Sequence, residues 1–180
     1  TAKRRIEGAL TTPDSRTLHQ AMRALKAQGI DHVALEASSH GLDQHRLDGM
    51  HFEAVAFTNL SRDHLDYHAD MDEYRNAKLR LSTDLLVDGG AAIVNVDDPE
   101  YEPFMFAALS ANATLLTVGR EGAYIEIISI EPEAYGQRVQ IRHIGELVDF
   151  HLHIPGEFQV SNALIAAALA MSSGVDKTDA

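Results

Sequence analysis

Short apolar runs alternate with helix-like segments over the first 118 residues, and this alternation limits the possible folds more than any other feature. Four runs have the length and composition of buried strands: 32–37, 53–59, 91–95 and 114–118. The segments between or before them have the apolar spacing and capping residues of helices: 14–28, 72–87 and 99–110. Strands that alternate with helices predict a parallel sheet covered by helices.

The pattern changes in the last third of the chain. Three short runs alternate apolar with polar residues and are separated by proline or glycine: 124–130, 138–144 and 147–154. Such runs predict an antiparallel meander at the edge of the sheet. The Ala- and Leu-rich segment 158–172 predicts a buried closing helix. The expected fold class is therefore α/β, a mostly parallel sheet flanked by helices with a small antiparallel β-meander.

The composition excludes several functional classes. The chain of 180 residues fits one domain, and its 27 acidic against 15 basic residues give a formal net charge of −12. This acidic balance argues against broad binding to nucleic acids or anionic membranes, which require a basic face, and it leaves room for a local anion site. The absence of cysteine excludes disulfides and thiolate chemistry, and it agrees with a reducing compartment.

Polar residues follow three of the expected strands at the point where each strand ends. Glu36 to His40 follow the first run, Thr58 and Asn59 the second, and Asn95 to Pro99 the third. In open parallel sheets, ligands bind beyond the carboxyl ends of the strands. We therefore expect a ligand site along this edge.

A segment rich in acidic residues and histidine lies near that edge. Asp63, His64, Asp66 and His68 follow one another closely, and Glu36 could reach them from the neighbouring strand end. Imidazole ligands suit zinc, whereas carboxylates suit magnesium or manganese, so the pattern leaves the metal open. A solvated loop with helix-capping aspartates explains the same residues.

Lys78 stands out because it shares a helix face with Tyr74, Leu81 and Leu85. Burial lowers the pKa of a lysine and exposes a neutral amine, which can act in catalysis or react with carbon dioxide. The alternative is a lysine whose charge reaches the solvent at the edge of the apolar stripe.

Two further groups of residues suit an anionic substrate. Gln44 and Arg46 lie in a polar loop with Ser38, and the arginine offers a rigid fork of donors. Thr11 and Thr12 precede a helix start, where hydroxyls and backbone N–H groups bind ligands. A surface loop and an ordinary helix cap are the alternatives. The chain contains neither G-x-x-x-x-G-K-[ST] nor G-x-G-x-x-G.

Six motifs in order along the chain resemble the central, ATP-using domain of the Mur ligases. They are TTPD at Thr11, EASSHGLDQHR at Glu36, TNLSRDHLDYH at Thr58, NAK at Asn76, NVDDP at Asn95 and PGEFQVSN at Pro155. The resemblance is greatest to the type that adds the third residue of the peptidoglycan stem peptide. It covers nearly the whole chain and implies the P-loop NTPase-like fold of that domain.

The resemblance implies an ATP-dependent amide ligase of the cytoplasm. ATP would phosphorylate a carboxylate of UDP-N-acetylmuramoyl-L-alanyl-D-glutamate, and the amine of meso-diaminopimelate or L-lysine would displace the phosphate. The implied cofactor is Mg²⁺, and the implied partners are these small molecules, with no nucleic acid and no membrane. We expect a monomer.

Residue roles follow from the matching motif positions. Glu36 and His64 would be magnesium ligands, and a carbamylated Lys78 would be the third, so these three residues are the expected catalytic centre. The expected substrate contacts are Thr11, Thr12, Ser38, Gln44 and Arg46. Asn162 would contact the nucleotide, although Gln159 stands where relatives often have asparagine.

The family's P-loop would precede residue 1, so residues 1–180 are expected to be a central domain that is incomplete at its N-terminus. The UDP-binding and amino-acid-binding domains are expected to lie outside this chain, which alone would be inactive. Three alternatives stay open: a sibling ligase such as a folylpolyglutamate synthase, a metal-dependent hydrolase using the acidic and histidine-rich segment, and an inactive binding module.

Overall fold

The structure, a computed structural model, describes residues 11–61 and 66–180. This part of the chain forms two compact units. The first unit contains residues 11–50 and 66–81, and the second contains residues 51–61 and 82–180. Each unit combines separate stretches of the chain, so both depend on contacts between residues that are distant in sequence.

The first unit is helical. Its helices are α1 (Ser15–Ala27), α2 (Ser39–Asp43) and α3 (Met71–Thr83), the last of which ends in the second unit. Helix α1 begins after Asp14, whose carboxylate accepts a hydrogen bond from the backbone N–H of Thr17. Helix α2 begins after Ser38, whose hydroxyl accepts from the N–H of Gly41. Both side chains therefore satisfy backbone donors that a helix start leaves unpaired.

The second unit contains one six-stranded sheet with the strands in chain order. The strands are β1 (Phe52–Phe57), β2 (Leu86–Asn95), β3 (Thr114–Gly119), β4 (Ile125–Glu133), β5 (Gly136–His143) and β6 (Glu146–Leu152). Strands β1 to β4 are parallel, and β4 to β6 form an antiparallel meander. This arrangement confirms the predicted fold class.

Two helices of the second unit pack against the two faces of the sheet. They are α4 (Tyr101–Ser110) and α5 (Glu157–Ser172). The rings of Phe57 and Phe104 stack 3.7 Å apart, which places α4 on the face of Phe57. Phe57 pairs with Val94 of β2, so the neighbouring residue Ile93 lies on the opposite face of the sheet. There it belongs to the apolar core with Val160 and Leu164 of α5.

Two sequence predictions were wrong in detail. No strand is present at 32–37, where Val33 is 46% exposed and no backbone ladder forms among the described residues. A strand requires a paired neighbour, and an apolar run alone does not supply one. The helix expected at 72–87 ends at Thr83, because Leu86 already pairs with Phe52 in the parallel sheet.

Candidate functional site

Thr12 is bonded through its hydroxyl to the start of the loop that carries several candidate substrate contacts. Its side chain is 1% exposed, and its hydroxyl donates to the carbonyl of Glu36 at 2.9 Å. The same oxygen accepts from the N–H and the hydroxyl of Ser38, each at 3.0 Å. One donated and two accepted bonds use the whole capacity of a hydroxyl group. Thr12 therefore holds Glu36 and Ser38 in place, and its direct contact with substrate stays a prediction.

Gly41 allows α2 to approach this threonine. A Cβ atom at position 41 would lie 2.7 Å from Cγ2 of Thr12 and 2.8 Å from its Cβ. Distances of that size are shorter than van der Waals contact between carbon atoms. The glycine in the motif EASSHGLDQHR thus has a packing role that the sequence alone did not assign.

Arg46 and Gln44 form a bonded pair beside Thr12. Nη1 of Arg46 donates to the carbonyl oxygen of Thr12 at 2.9 Å, and its Nε donates to Oε1 of Gln44 at 3.1 Å. A second guanidinium nitrogen also donates to Oε1. The hydroxyl of Tyr67 accepts from Nε2 of Gln44 at 3.1 Å and donates to Oδ2 of Asp43 at 2.6 Å. The first unit therefore brings together Thr12, Ser38, Gln44 and Arg46.

Tyr67 and Asp43 were not among the predicted substrate contacts. The hydrogen bond to Asp43 raises the pKa of the Tyr67 hydroxyl above its ordinary value, the bond from Gln44 acting in the opposite direction. The hydroxyl therefore stays protonated and able to donate at neutral pH. The two residues are 24 positions apart, and no local spacing in the sequence indicates that they meet.

Lys78 is half-buried on α3, with Nζ 5.6 Å from the centroid of the Tyr74 ring. Burial lowers its pKa, and the negative charge of Glu36 partly opposes this effect. A depressed pKa increases the fraction of neutral amine, which is the form that attacks carbon dioxide. Glu36 and Lys78 therefore interact electrostatically, and a shared site stays a prediction.

The predicted metal site is only partly described. His64 and Asp63 lie outside the described residues, and no group of three His, Asp or Glu side chains within 11–61 and 66–180 has a metal-binding arrangement. The carboxylate of Glu36 is exposed. A carboxylate oxygen such as that of Glu36 is the donor type that Mg²⁺ prefers. Glu36 therefore fits magnesium, and the roles of Lys78 and His64 as ligands stay predictions.

His68 is buried, whereas the candidate metal ligands Glu36 and Asp66 are exposed. Its side chain is 1% exposed, and neither ring nitrogen has a hydrogen-bond partner among the described residues. Its ring centroid lies 4.8 Å from that of Tyr67, 5.3 Å from that of Tyr74 and 5.7 Å from that of His40. These contacts make His68 the centre of an aromatic cluster. The hydrolase alternative also requires Asp63 and His64, which lie outside the described residues.

The motif NVDDP fixes the loop that follows β1. Nδ2 of Asn95 donates to the carbonyl of Thr58 at 2.7 Å, and Oδ2 of Asp98 accepts from the N–H of Leu60 at 3.2 Å. Asp97 accepts from the N–H of Arg120 at 2.7 Å. These bonds join the carboxyl ends of β1, β2 and β3. The sequence placed this motif at the end of an expected strand, and it did not predict the bonds to Thr58, Leu60 and Arg120.

The remaining predicted contacts are exposed. Thr11 lies at the surface of the first unit, and Asn162 lies at the surface of α5 in the second unit. The amide of Asn162 has Oε1 of Gln159 at 3.5 Å, a distance that marks a weak hydrogen bond. Both side chains are accessible to a ligand, and their roles stay predictions.

No helix in the described part of the chain has the length and apolar character needed to cross a membrane.

Comparison with known proteins gives the family. Residues 1–170 match the Mur ligase middle domain. A UDP-N-acetylmuramoyl-L-alanyl-D-glutamate–2,6-diaminopimelate ligase from Chelativorans sp. is 49% identical over 168 residues, which cover 93% of this chain and 35% of the relative. The enzyme of that name from Agrobacterium fabrum is 46% identical, with 93% and 34% covered. This chain therefore spans about a third of the length of these curated relatives.

Solved structures agree with this assignment. A structure of a UDP-N-acetylmuramoyl-L-alanyl-D-glutamate–2,6-diaminopimelate ligase has a TM-score of 0.84 and 31% identity, covering 93% of this chain and 34% of that one. MurF from Acinetobacter baumannii has a TM-score of 0.63 at 24% identity, covering 71% of this chain and 27% of that one, which shows a shared fold. The family match, the fold and the order of the six motifs together show that this chain belongs to the Mur ligase family, as a middle domain.

Proposed function

We propose that this chain is the middle domain of an ATP-dependent ligase that joins 2,6-diaminopimelate to UDP-N-acetylmuramoyl-L-alanyl-D-glutamate. The observation that carries the proposal is the single bonded network of Thr12, Ser38, Gln44 and Arg46 in the first unit. Gln44 is exposed, and Ser38 and Arg46 are half-buried, so these three side chains reach the surface beside the buried Thr12. The substrate named for the relatives is anionic, and an arginine fork suits such a ligand.

The reaction we propose has two steps. A carboxylate of the UDP-linked dipeptide attacks the γ-phosphorus of ATP, and the bond to the β-phosphate oxygen breaks, giving an acyl phosphate and ADP. The amine of diaminopimelate then attacks the acyl carbon, loses a proton, and expels inorganic phosphate as the amide forms. Positioning and charge stabilisation supply most of the rate enhancement in phosphoryl transfer.

Glu36, Lys78 and His64 are the residues we propose as magnesium ligands. Bound Mg²⁺ would neutralise negative charge on the phosphoryl oxygens. In the first unit, Thr12 fixes the backbone of Glu36, and α3 presents the amine of Lys78 from a partly apolar surface. The lowered pKa of Lys78 favours carbamylation, which converts a cation into an oxygen ligand.

The other roles in the proposal concern binding. The residues that would contact the UDP-linked dipeptide are those of the sequence prediction: Thr11, Thr12, Ser38, Gln44 and Arg46. Asn162 would contact ATP. The absence of cysteine agrees with a cytoplasmic location, which we include in the proposal with a monomeric state.

A chimera tests this function directly. This chain would replace the matching segment of the Chelativorans ligase, which supplies the rest of the polypeptide. We expect phosphate release that requires ATP, Mg²⁺, the UDP-linked dipeptide and meso-diaminopimelate. A folded chimera that releases no phosphate under these conditions would contradict the proposal.

The same assay tests Lys78. The substitution Lys78→Ala should lower the rate more than about a hundredfold. Mutation of a residue that only orients a metal ligand typically costs about 10–100-fold, and loss of a ligand itself should cost more. Lys26→Ala, at the exposed end of α1, is the matched control and should leave the rate unchanged. Mass spectrometry of the chimera should detect one carboxyl group added at Lys78. An active Lys78→Ala chimera would exclude the assigned role.

A further inference from the structure

A relay of hydrogen bonds runs from Asp43 to Arg46 through Tyr67 and Gln44. The Tyr67 hydroxyl donates to Asp43 at 2.6 Å and accepts from Nε2 of Gln44 at 3.1 Å. Oε1 of Gln44 then accepts from Nε of Arg46 at 3.1 Å and from a second guanidinium nitrogen. The four residues belong to the first unit and form one continuous chain of polar contacts.

The two ends of this relay determine its direction. A carboxylate only accepts hydrogen bonds, and a guanidinium only donates them. Tyr67 and Gln44 can each do both, and they lie between these fixed ends. The hydroxyl proton therefore points to Asp43, the amide N–H₂ of Gln44 points to Tyr67, and the amide oxygen points to Arg46.

Several N–H groups of Arg46 and Gln44 are not used by the relay. Nε and one N–H of Nη2 in Arg46 are directed at Gln44, and one N–H of Nη1 is directed at the carbonyl of Thr12. One N–H of each terminal guanidinium nitrogen and one N–H of the Gln44 amide have no partner among the described residues. The amide oxygen of Gln44, which would repel an anion, is occupied by Arg46.

We propose that Asp43 and Tyr67 are positioning residues that hold Gln44 and Arg46 as a pair presenting N–H donors to an anionic oxygen group of the substrate. The proposal rests on the proposed function and adds two residues to it. Tyr67 acts through Gln44, and Asp43 acts through Tyr67. A carboxylate and a diphosphate share the required chemistry, and the UDP-linked dipeptide contains both.

The raised pKa of Tyr67 supports this role, because the hydroxyl keeps the proton that it donates to Asp43. The ring of Tyr67 also lies 4.0 Å from the His40 ring and 4.8 Å from the ring of buried His68. The side chain of Tyr67 is 39% exposed. Contact with these rings on one side and the bond to Asp43 together orient its hydroxyl toward Gln44.

The first experiment measures steady-state kinetics in the chimera described above. Tyr67→Phe keeps the ring and removes the anchor, so KM for the UDP-linked dipeptide should rise about tenfold while kcat changes less than about twofold. Asp43→Asn keeps an acceptor for the Tyr67 proton and should raise KM about threefold. Tyr135→Phe and Asp31→Asn, both at exposed positions, are the matched controls and should leave KM unchanged.

A substrate analogue distinguishes the two anionic groups. The analogue carries a carboxamide in place of the D-glutamate carboxylate that does not react. If the donor pair binds that carboxylate, Tyr67→Phe should no longer raise KM with the analogue. If the pair binds the diphosphate, the tenfold rise should persist.

The second experiment does not depend on ligase activity. In this chain alone, hydrogen exchange of the Arg46 Nε–H group would be followed by ¹⁵N NMR. Tyr67→Phe should speed this exchange about tenfold, because Gln44 loses its anchor and releases Arg46, whereas Tyr135→Phe should not. Circular dichroism of each variant would verify the fold.

The outcomes separate the two proposals. An active chimera in which Tyr67→Phe changes neither KM nor the exchange of Arg46 would overturn the positioning role and leave the proposed function intact. A loss of kcat at constant KM would also overturn it. An inactive parent chimera combined with faster Arg46 exchange in Tyr67→Phe would overturn the function and support the positioning role.

Discussion

The two compact units of this chain are stabilised by different interactions. The second unit has a core of apolar side chains between the sheet and α5, and most of its strands contribute to it. The first unit contains no strand among its described residues. It buries a few apolar side chains such as Leu42 and Leu47, and in its candidate site polar side chains are bonded to backbone groups. Burial of apolar area tolerates small shifts of neighbouring groups, whereas hydrogen bonds depend on distance and direction.

This difference agrees with the placement of the candidate site. Most of the predicted substrate contacts lie in the first unit, where Thr12, Ser38 and Arg46 are held by specific bonds. A binding surface gains precision when a second set of residues fixes its side chains. The apolar core of the second unit contributes stability, whereas the hydrogen bonds of the first unit fix the orientation of the side chains in the candidate site.

The largest expected effect on stability is in the sheet core. Ile93 is 1% exposed and lies among the core residues of the second unit. Ile93→Ala should lower the free energy of unfolding by about 4 kcal/mol, because it removes three buried carbon atoms and leaves a cavity. Urea unfolding followed by circular dichroism measures the change.

Leu147→Ala is the control for this substitution. Leu147 is 62% exposed on β6, so its removal should change the free energy of unfolding by less than about 0.5 kcal/mol. Equal losses at positions 93 and 147 would contradict the assignment of the core to this face of the sheet.

An intermediate effect is expected at Thr12. Thr12→Val keeps the shape of the side chain but removes the hydroxyl, leaving the carbonyl of Glu36 and the N–H of Ser38 without their partner. The expected loss is about 2 kcal/mol in the free energy of unfolding, measured in the same way. Thr11→Val, at an exposed position, is the matched control and should have little effect on stability. A loss at Thr12 that exceeds that at Ile93 would reverse the comparison between the units.

The second unit could be predicted from the sequence because the apolar pattern within each segment indicates whether that segment is a strand or a helix. Apolar runs with a spacing of two or of three to four residues specify strands and helices without knowledge of their partners. The parallel sheet, the meander and α5 followed from such runs. The strand expected at 32–37 did not form, because pairing depends on a neighbouring strand that no local pattern reveals.

The candidate site was harder to predict for the same reason. Lys78 was found from its position on a helix face, and burial does lower its pKa. The bonds between Tyr67 and Asp43, and between Asp98 and Leu60, join residues 24 and 38 positions apart. Contacts of this range arise only after the chain has folded, and neither spacing nor composition indicates them.

The smallest expected effect concerns the start of α1. Asp14 caps this helix, accepting from the hydroxyl of Thr17 at 2.6 Å and from its N–H at 3.0 Å. The side-chain bond and then the backbone bond lower the pKa of the Asp14 carboxyl. Because the pKa is lower in the folded state, the ionised cap stabilises the helix fully at pH values above the pKa of the unfolded state. This contribution is lost as the pH falls through the pKa of the folded state.

An NMR titration of the Asp14 carboxyl should therefore give a pKa below that of an unstructured aspartate. Thr17→Val removes the hydroxyl and keeps the backbone donor, so it should move the pKa partway back. The N–H of Thr17 should exchange faster with solvent below the folded-state pKa, and Asp14→Asn should remove that pH dependence. An unshifted pKa, or no response to Thr17→Val, would show that α1 begins without this cap. The first unit would then lose one of the specific polar contacts that distinguish it from the sheet.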